Sequence, residues 1–122
     1  MPDNLHKGLC FEDEAAKYLE RRDCQLLGRS FRCRFGEIDL IVRDREVICF
    51  VEVKYRKSLG FGGAAHSLPI SKQRKLIKTA QFFLLRYPNL ANHPMRFDAL
   101  LIQRQPNGSN HYNWIKNAFY AE

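Results

Sequence analysis

Hydrophobic residues recur along the chain with two different spacings. Two stretches show the three-to-four-residue spacing of an amphipathic helix, and several short runs are rich in strand formers. The predicted order is a helix over 8–22, strands over 24–33, 37–43 and 46–54, a helix over 71–87, a strand over 97–102 and a short edge strand over 111–115. This order predicts an α/β fold with an antiparallel meander of the first three strands, in a mixed central sheet flanked by helices.

The ends of the second helix carry local signals. Residues 57–68 contain three glycines and are predicted to form a loop. Ser71 is predicted to cap the helix that follows, and Pro88 is predicted to stop it.

Charged residues interrupt the apolar pattern at the ends of two neighbouring strands. Because side chains alternate along a strand, Glu52 and Lys54 share one face. Such groups are costly to desolvate without partners or a metal. A reversal at 44–46 brings Asp39 towards Glu52. Two carboxylates and a lysine at one sheet edge can hold a hard divalent cation and activate a water.

Composition limits the class of protein. With 122 residues and 45% apolar content, the chain is expected to be a single globular domain. No apolar run is long enough to span a bilayer and no secretory signal is visible, so we expect a cytoplasmic protein with no membrane partner. The four cysteines lack compact ligand spacing, which favours reduced, mostly buried thiols.

Net charge favours a polyanionic partner. The chain carries 20 basic and 13 acidic residues, a formal charge of +7, and its basic residues are clustered. Such a surface suits a phosphate backbone as its partner. A basic face that contacts only solvent is the competing explanation for the charge. The candidate nucleic-acid contacts are Arg32, Arg34, Arg56, Lys72, Gln73 and Lys75.

Two motifs point to a family. The sequence Gly-Glu-Ile-Asp-Leu-Ile over 36–41, followed by Phe-Val-Glu-Val-Lys over 50–54, resembles the PD-(D/E)XK, or restriction-endonuclease-like, nucleases. Within that superfamily the chain is similar to the YraN family, which is related to archaeal Holliday-junction resolvases. The similarity covers nearly the whole chain. It implies a restriction-endonuclease-like αβββαβ core and one nuclease-like domain over 1–122.

The resemblance also implies roles for individual residues. Asp39 and Glu52 would be metal ligands, with the Val53 backbone carbonyl completing the protein's share. Lys54 would orient or deprotonate the attacking water, and Glu12 would join from the first helix. Mg2+ suits this oxygen-rich set, with Mn2+ as a substitute.

The chain departs from the family pattern at two positions. Phe11 stands where the family usually has Gly, and Ile38 replaces the Pro that names the superfamily, as is usual in the resolvase-like branch. A structural ion pair at a strand end is the competing explanation for the charged set. An acidic first turn that stabilises a helix dipole is the competing explanation for Glu12.

Three functions follow as hypotheses. The first is a metal-dependent DNA endonuclease that hydrolyses phosphodiester bonds in branched or structured DNA, acting as a homodimer as the resolvase relatives do. The second is a nucleic-acid-binding adaptor that keeps the fold but cleaves poorly or not at all. The third is a protein-interaction module whose basic face meets an acidic partner, which predicts no steep salt dependence of DNA affinity.

Overall fold

Two α-helices and five strands make up the part of the chain described by the computed structural model, residues 3–56 and 68–119, with side chains from Phe11 onward. The predicted loop over 57–68 lies almost wholly outside these residues. The elements in chain order are α1 (Asp3–Arg21), β1 (Gln25–Cys33), β2 (Gly36–Asp44), β3 (Val47–Arg56), α2 (Ile70–Arg86), a 3-10 turn (Pro88–Leu90), β4 (Met95–Arg104) and β5 (Asn110–Phe119).

The five strands form one mixed sheet in the order β1-β2-β3-β4-β5. Neighbours are antiparallel except β3 and β4, which are parallel. Short turns join the antiparallel strands, whereas a parallel pair needs a long crossover, which contains α2. The predicted α/β class and the antiparallel meander are confirmed, and the sheet is consistent with a restriction-endonuclease-like core.

The helices cover opposite faces of the sheet. Because successive side chains of a strand point to opposite faces, β3 contributes to two hydrophobic clusters. One cluster lies against α1 and the other against α2. The α1 cluster includes Ala15, Leu19, Leu40, Val42, Cys49, Val51, Leu100 and Ile102. The α2 cluster includes Ile38, Ile41, Ile48, Phe50, Leu76, Ala80, Phe83 and Phe97.

Several predicted element boundaries were wrong. The first helix begins at Asp3, five residues earlier than predicted. The last strand lies at the edge of the sheet as predicted, but it is ten residues long rather than short, because its pairing with β4 continues past a bulge to Phe119. Ser71 does not cap α2. The N-cap is Pro69, whose carbonyl accepts a hydrogen bond from Gln73 N–H at 3.0 Å, and no side chain caps the helix.

The three described cysteines are free thiols. Cys24 and Cys49 are buried and Cys33 is half-buried. Burial raises the pKa of the Cys24 thiol to about 11 and that of Cys49 to about 12. Among the described residues, no helix has the length and apolarity needed to cross a bilayer.

Candidate active site

Asp39 and Glu52 meet where β2 and β3 separate. The pairing of the two strands ends at Leu40 and Val51, so Asp39 lies just beyond the last pair. Its Oδ2 accepts a hydrogen bond from the Val53 N–H at 2.8 Å. This bond turns the Asp39 carboxylate towards β3, where Glu52 is only 8% exposed. The predicted approach of Asp39 to Glu52 is therefore observed.

The surroundings of Asp39 disfavour the ionised form of its carboxyl group. Burial, the hydrogen-bonding contact with Glu52 and the negative charge of Glu52 raise the pKa of Asp39 to about 8. The Val53 N–H opposes this rise, and the charge of Glu12 adds to it. Two close carboxylates in a partly dry pocket repel each other, and a bound cation would relieve that repulsion.

Two lysines share this pocket. The ammonium of Lys72, from α2, forms an ion pair with Glu52 Oε2. Burial and the charge of Lys72 lower the pKa of Lys54, while Glu52 opposes the change. A lysine with a lowered pKa is closer to acting as a base near neutral pH.

Asp39 lines two open pockets. One, of about 340 Å³, is lined by Glu37, Asp39, Glu52, Val53, Lys54 and Lys72. The other, of about 180 Å³, is lined by Phe11, Glu12, Asp39, Val53 and Tyr55. Glu12 therefore approaches Asp39 from the side of α1, opposite the lysines. An open pocket of this kind admits a phosphate on an extended chain more readily than it encloses a small molecule.

Glu12 is held by a residue that the sequence did not single out. The hydroxyl of Ser30 donates a hydrogen bond of 2.6 Å to Glu12 Oε1. Ser30 has a φ of 49°, a left-handed conformation that is uncommon for serine. Phe11, which precedes Glu12 on α1, stacks on Tyr55 with ring centroids 4.0 Å apart. That stack joins α1 to β3 beside the candidate site.

The donor set fits magnesium better than zinc. Among the described side chains, no three histidine, cysteine, aspartate or glutamate groups are arranged to hold a metal ion. Mg2+ does not need such a cluster, because it keeps several waters and binds through one or two carboxylates. Asp39 and Glu52 supply two carboxylates at the mouth of an open pocket, so the residues fit Mg2+ with water in its other positions.

Comparison with known proteins places the chain in a family. The model of uncharacterised protein family UPF0102 matches residues 11–102, which is most of the chain. The chain belongs to UPF0102. It is 45% identical to a UPF0102 protein of Alcanivorax borkumensis over 111 aligned residues. The aligned residues make up 91% of this chain and 89% of the relative.

Two further relatives cover the chain to a similar extent. A UPF0102 protein of Pseudomonas putida strain GB-1 is 42% identical over 112 residues, 92% of this chain and 91% of its own. One from Stutzerimonas stutzeri is 41% identical over 119 residues, 98% of both chains. These relatives confirm the predicted resemblance to the YraN family, which is the family UPF0102. The family name specifies no reaction, so the activity has to be argued from the site.

The six residues of this UPF0102 chain that are predicted to contact nucleic acid differ from one another in their surroundings. Arg32 forms an ion pair with Glu37, 2.8 Å from Nε to Oε1, and the Gln73 amide donates a hydrogen bond to the Leu68 carbonyl at 2.8 Å. Lys72 contacts Glu52, as described above. The three others, Arg34, Arg56 and Lys75, are exposed. Of the six residues, Lys72 lines the pocket, and the proposed contacts with nucleic acid stay predictions.

A second buried carboxylate in the same sheet is fully partnered. Asp98 is 2% exposed and accepts hydrogen bonds from the Arg96 guanidinium, from Trp114 Nε1 at 2.9 Å and from the Asn117 N–H at 3.0 Å. Arg96 also bonds Asp44 Oδ2 at 3.0 Å. This network fastens β5 to β4. It shows how the fold neutralises a structural carboxylate, and Asp39 has no comparable cation among its described partners.

Proposed function

We propose that this UPF0102 chain is a metal-dependent DNA endonuclease that hydrolyses phosphodiester bonds. One observation carries the proposal. Asp39, Glu52 and Lys54 line a single open pocket. The surroundings of Asp39 disfavour its ionised form, whereas the carboxylate of Asp98 is neutralised by Arg96. Groups that are held in an unfavourable state at a surface pocket are typical of functional sites.

Asp39, Glu52 and the Val53 carbonyl would hold Mg2+. When bound there, the ion would act as a Lewis acid on a phosphodiester. Lys54 lines the same pocket and would orient the attacking water or take its proton. Glu12, held by Ser30, would orient a second water from the opposite side of Asp39.

The substrate follows from charge and shape. The pocket is open, and exposed basic residues lie on α2 and on the hairpin of β1 and β2, so a phosphate backbone can lie across it. DNA, and branched or structured DNA in particular, is proposed from the resemblance to junction resolvases. Symmetric cutting of two strands would need two such centres, which a homodimer supplies. A cytoplasmic location stays a prediction.

The adaptor remains the second candidate, because of one observation. Lys72 already neutralises Glu52, and an ion pair that stays closed would leave only Asp39 to bind a metal. Such a protein would bind DNA through the same basic surface without cleaving it.

Cleavage of labelled four-way-junction, flap, single-stranded and duplex DNA in Mg2+ and in Mn2+ tests the proposal. Wild type, Asp39→Asn and Lys54→Ala would be purified in parallel, with Asp13→Asn as a matched control because Asp13 is an exposed carboxylate on α1. We expect metal-dependent cutting in wild type and Asp13→Asn, and none in the other two. DNA binding without cutting in all four proteins would support the adaptor, and equal cutting by all four would reveal a contaminating nuclease.

A further inference from the structure

The turn between β1 and β2 consists of Arg34 and Phe35. Neither residue has a positive φ, so this turn does not need the glycine, asparagine or aspartate that such angles favour. The backbone of the turn therefore tolerates many residue types and does not by itself select an arginine followed by a phenylalanine. Phe35 is half-buried, so part of the ring remains accessible.

Two cations lie over the Phe35 ring. The guanidinium carbon of Arg34 is 5.0 Å from the ring centroid and the ammonium of Lys78 is 5.7 Å from it. Phe82 meets the same ring edge-on, with the centroids 6.5 Å apart. One edge of Phe35 is thus anchored on α2, while Arg34 and Lys78 are exposed. A guanidinium plane over an aromatic ring offers a flat cationic surface on which a base can stack.

The positive charge of helix α2 does not stabilise the helix. It contains no acidic residue and five basic ones: Lys72, Arg74, Lys75, Lys78 and Arg86. Lysines three residues apart are neighbours on a helix surface and repel one another. Lys72 also lies in the first turn, where the helix dipole disfavours a cation. A polyanion bound along this surface would offset both costs.

The basic surface is continuous with the candidate active site. Lys72 lines the pocket, and Lys75 and Lys78 follow along α2 over about 9 Å, given a rise of 1.5 Å per residue. The hairpin tip packs closely on the same helix. A Cβ added to Gly36 would lie 3.3 Å from Thr79 Oγ1 and 3.7 Å from Lys75 Cβ.

We infer that this surface binds a single-stranded nucleic-acid segment next to the bond held in the pocket. Lys75 and Lys78 contact its phosphates, and an unpaired base stacks on the Arg34–Phe35 pair. The segment is single-stranded because stacking needs a free base face, which a duplex hides. The inference rests on the proposed function only in taking the pocket as the cleavage site, and it narrows the substrate to DNA with unpaired bases.

Binding measured without divalent metal tests this inference separately from cleavage. Fluorescence anisotropy in EDTA would use three labelled probes of equal length: a single strand, the same strand with abasic sites, and a blunt duplex. The abasic strand keeps the phosphates and removes the bases. We expect wild type to prefer the intact strand to the abasic one by about tenfold, since one stacked base is worth about 1–3 kcal/mol.

Two substitutions separate stacking from charge. Phe35→Leu keeps an apolar side chain against Phe82 but removes the aromatic face, and we expect it to abolish the preference for the intact strand. Lys75→Gln should weaken binding of intact and abasic strands alike and reduce the slope of log affinity against log salt by about 0.7, because Lys75 is not one of the two cations over the Phe35 ring. Arg86→Gln, the same loss of charge in the last turn of α2, is the matched control and should bind as wild type does.

Thermal unfolding would establish that each variant is folded. If Phe35→Leu does not fold, Arg34→Gln replaces it, because Arg34 is exposed and lies outside the hydrophobic clusters. An unchanged preference for the intact strand in the folded variant would overturn the inference. Duplex bound as tightly as the single strand would also overturn it, as would an acidic polyglutamate peptide that competes equally well.

The two proposals fail in distinguishable ways. Base-dependent binding in EDTA without cleavage in Mg2+ would reject the endonuclease and leave the single-strand surface supported. Metal-dependent cleavage with no dependence on Phe35 would reject only the surface.

Discussion

The ammonium of Lys72, in the first turn of α2, forms an ion pair with Oε2 of Glu52 in β3. A positive charge thus lies against one of the two carboxylates that would hold a metal. Lysine and a divalent cation compete for the same carboxylate oxygens, so metal binding at Glu52 would release Lys72 towards the phosphate backbone.

This competition predicts a gain in metal affinity on removing the lysine. Lys72→Gln should bind Mn2+ about tenfold more tightly than wild type, equivalent to about 1.4 kcal/mol, because no ammonium has to be displaced. Isothermal titration calorimetry would measure the affinity. Lys75→Gln, the same change one turn further along α2, should change it little. Weaker binding by Lys72→Gln would instead mean that Lys72 holds Glu52 in position for the metal.

The pKa of Asp39 predicts a pH-dependent stability. With a pKa of about 8 when folded and an ordinary value of 3.8, Asp39 ionises in the unfolded chain before it ionises in the folded one. Its contribution to stability is full below about pH 4 and falls as the pH rises to about 8. Asp39→Asn does not titrate, so its free energy of unfolding relative to wild type should rise by about 1 kcal/mol or more between pH 4 and 8.

Urea unfolding in EDTA at several pH values would measure this difference. Asp13→Asn removes an exposed carboxylate and should show no such rise. Mg2+ should stabilise wild type at pH 8 and stabilise Asp39→Asn much less. A difference between wild type and Asp39→Asn that does not change with pH would contradict the raised pKa.

The Asp98 network predicts a large loss of stability. Asp98→Ala leaves the guanidinium of Arg96 with Asp44 alone and removes the acceptor of Trp114 and Asn117. We expect a loss of about 3–5 kcal/mol in the free energy of unfolding, as when one partner of a buried ion pair is removed. Trp114 is the chain's one tryptophan, so its fluorescence would report the change directly. Glu46→Ala, at an exposed carboxylate, should cost little.

Substitutions of Ser30 distinguish the effect of its positive backbone φ on stability from its role in positioning Glu12. Glycine adopts a positive φ freely and alanine does not, so Ser30→Gly should be about 1 kcal/mol more stable than Ser30→Ala. Both variants lose the hydrogen bond to Glu12. If Glu12 acts in the reaction, both should lose cleavage to the same extent despite their different stabilities. Cleavage that follows stability instead would assign Ser30 a purely structural role.

The thiols should differ sharply in reactivity. At pH 8 a thiol-reactive maleimide should modify half-buried Cys33 in the native protein, while Cys24 and Cys49 react only after unfolding, because burial raises their pKa values to about 11 and 12. A Cys10→Ser background would restrict the count to these three. Peptide mass mapping would identify each site, and rapid labelling of native Cys49 would contradict the described burial.

The local part of the site could be predicted from the sequence. The approach of Asp39 to Glu52 follows from two neighbouring strands and a tight turn, because alternation and register are properties of the hairpin itself. The shared face of Glu52 and Lys54 follows for the same reason. The fold class also follows, since the order of helical and strand patterns limits the topology.

The contacts that join distant elements could not be predicted. Ser30 meets Glu12 only because α1 packs beside β1, and Lys72 reaches Glu52 only because the crossover helix covers that face of the sheet. Sequence spacing contains neither relationship. The length of β5 was missed because its residues are mostly polar, and its bonds to Asp98 become visible only when β4 and β5 are side by side.

The parallel pairing of β3 with β4 has a consequence for how the molecule assembles. The hairpin of β2 and β3 needs only a tight turn, whereas α2 reaches the sheet through the crossover, whose closure is slow because it joins segments distant in sequence. We therefore expect the carboxylates of Asp39 and Glu52 to come together during folding before Lys72 arrives. A divalent cation present at that moment would fill the role of the missing lysine, so we expect Mg2+ to speed refolding.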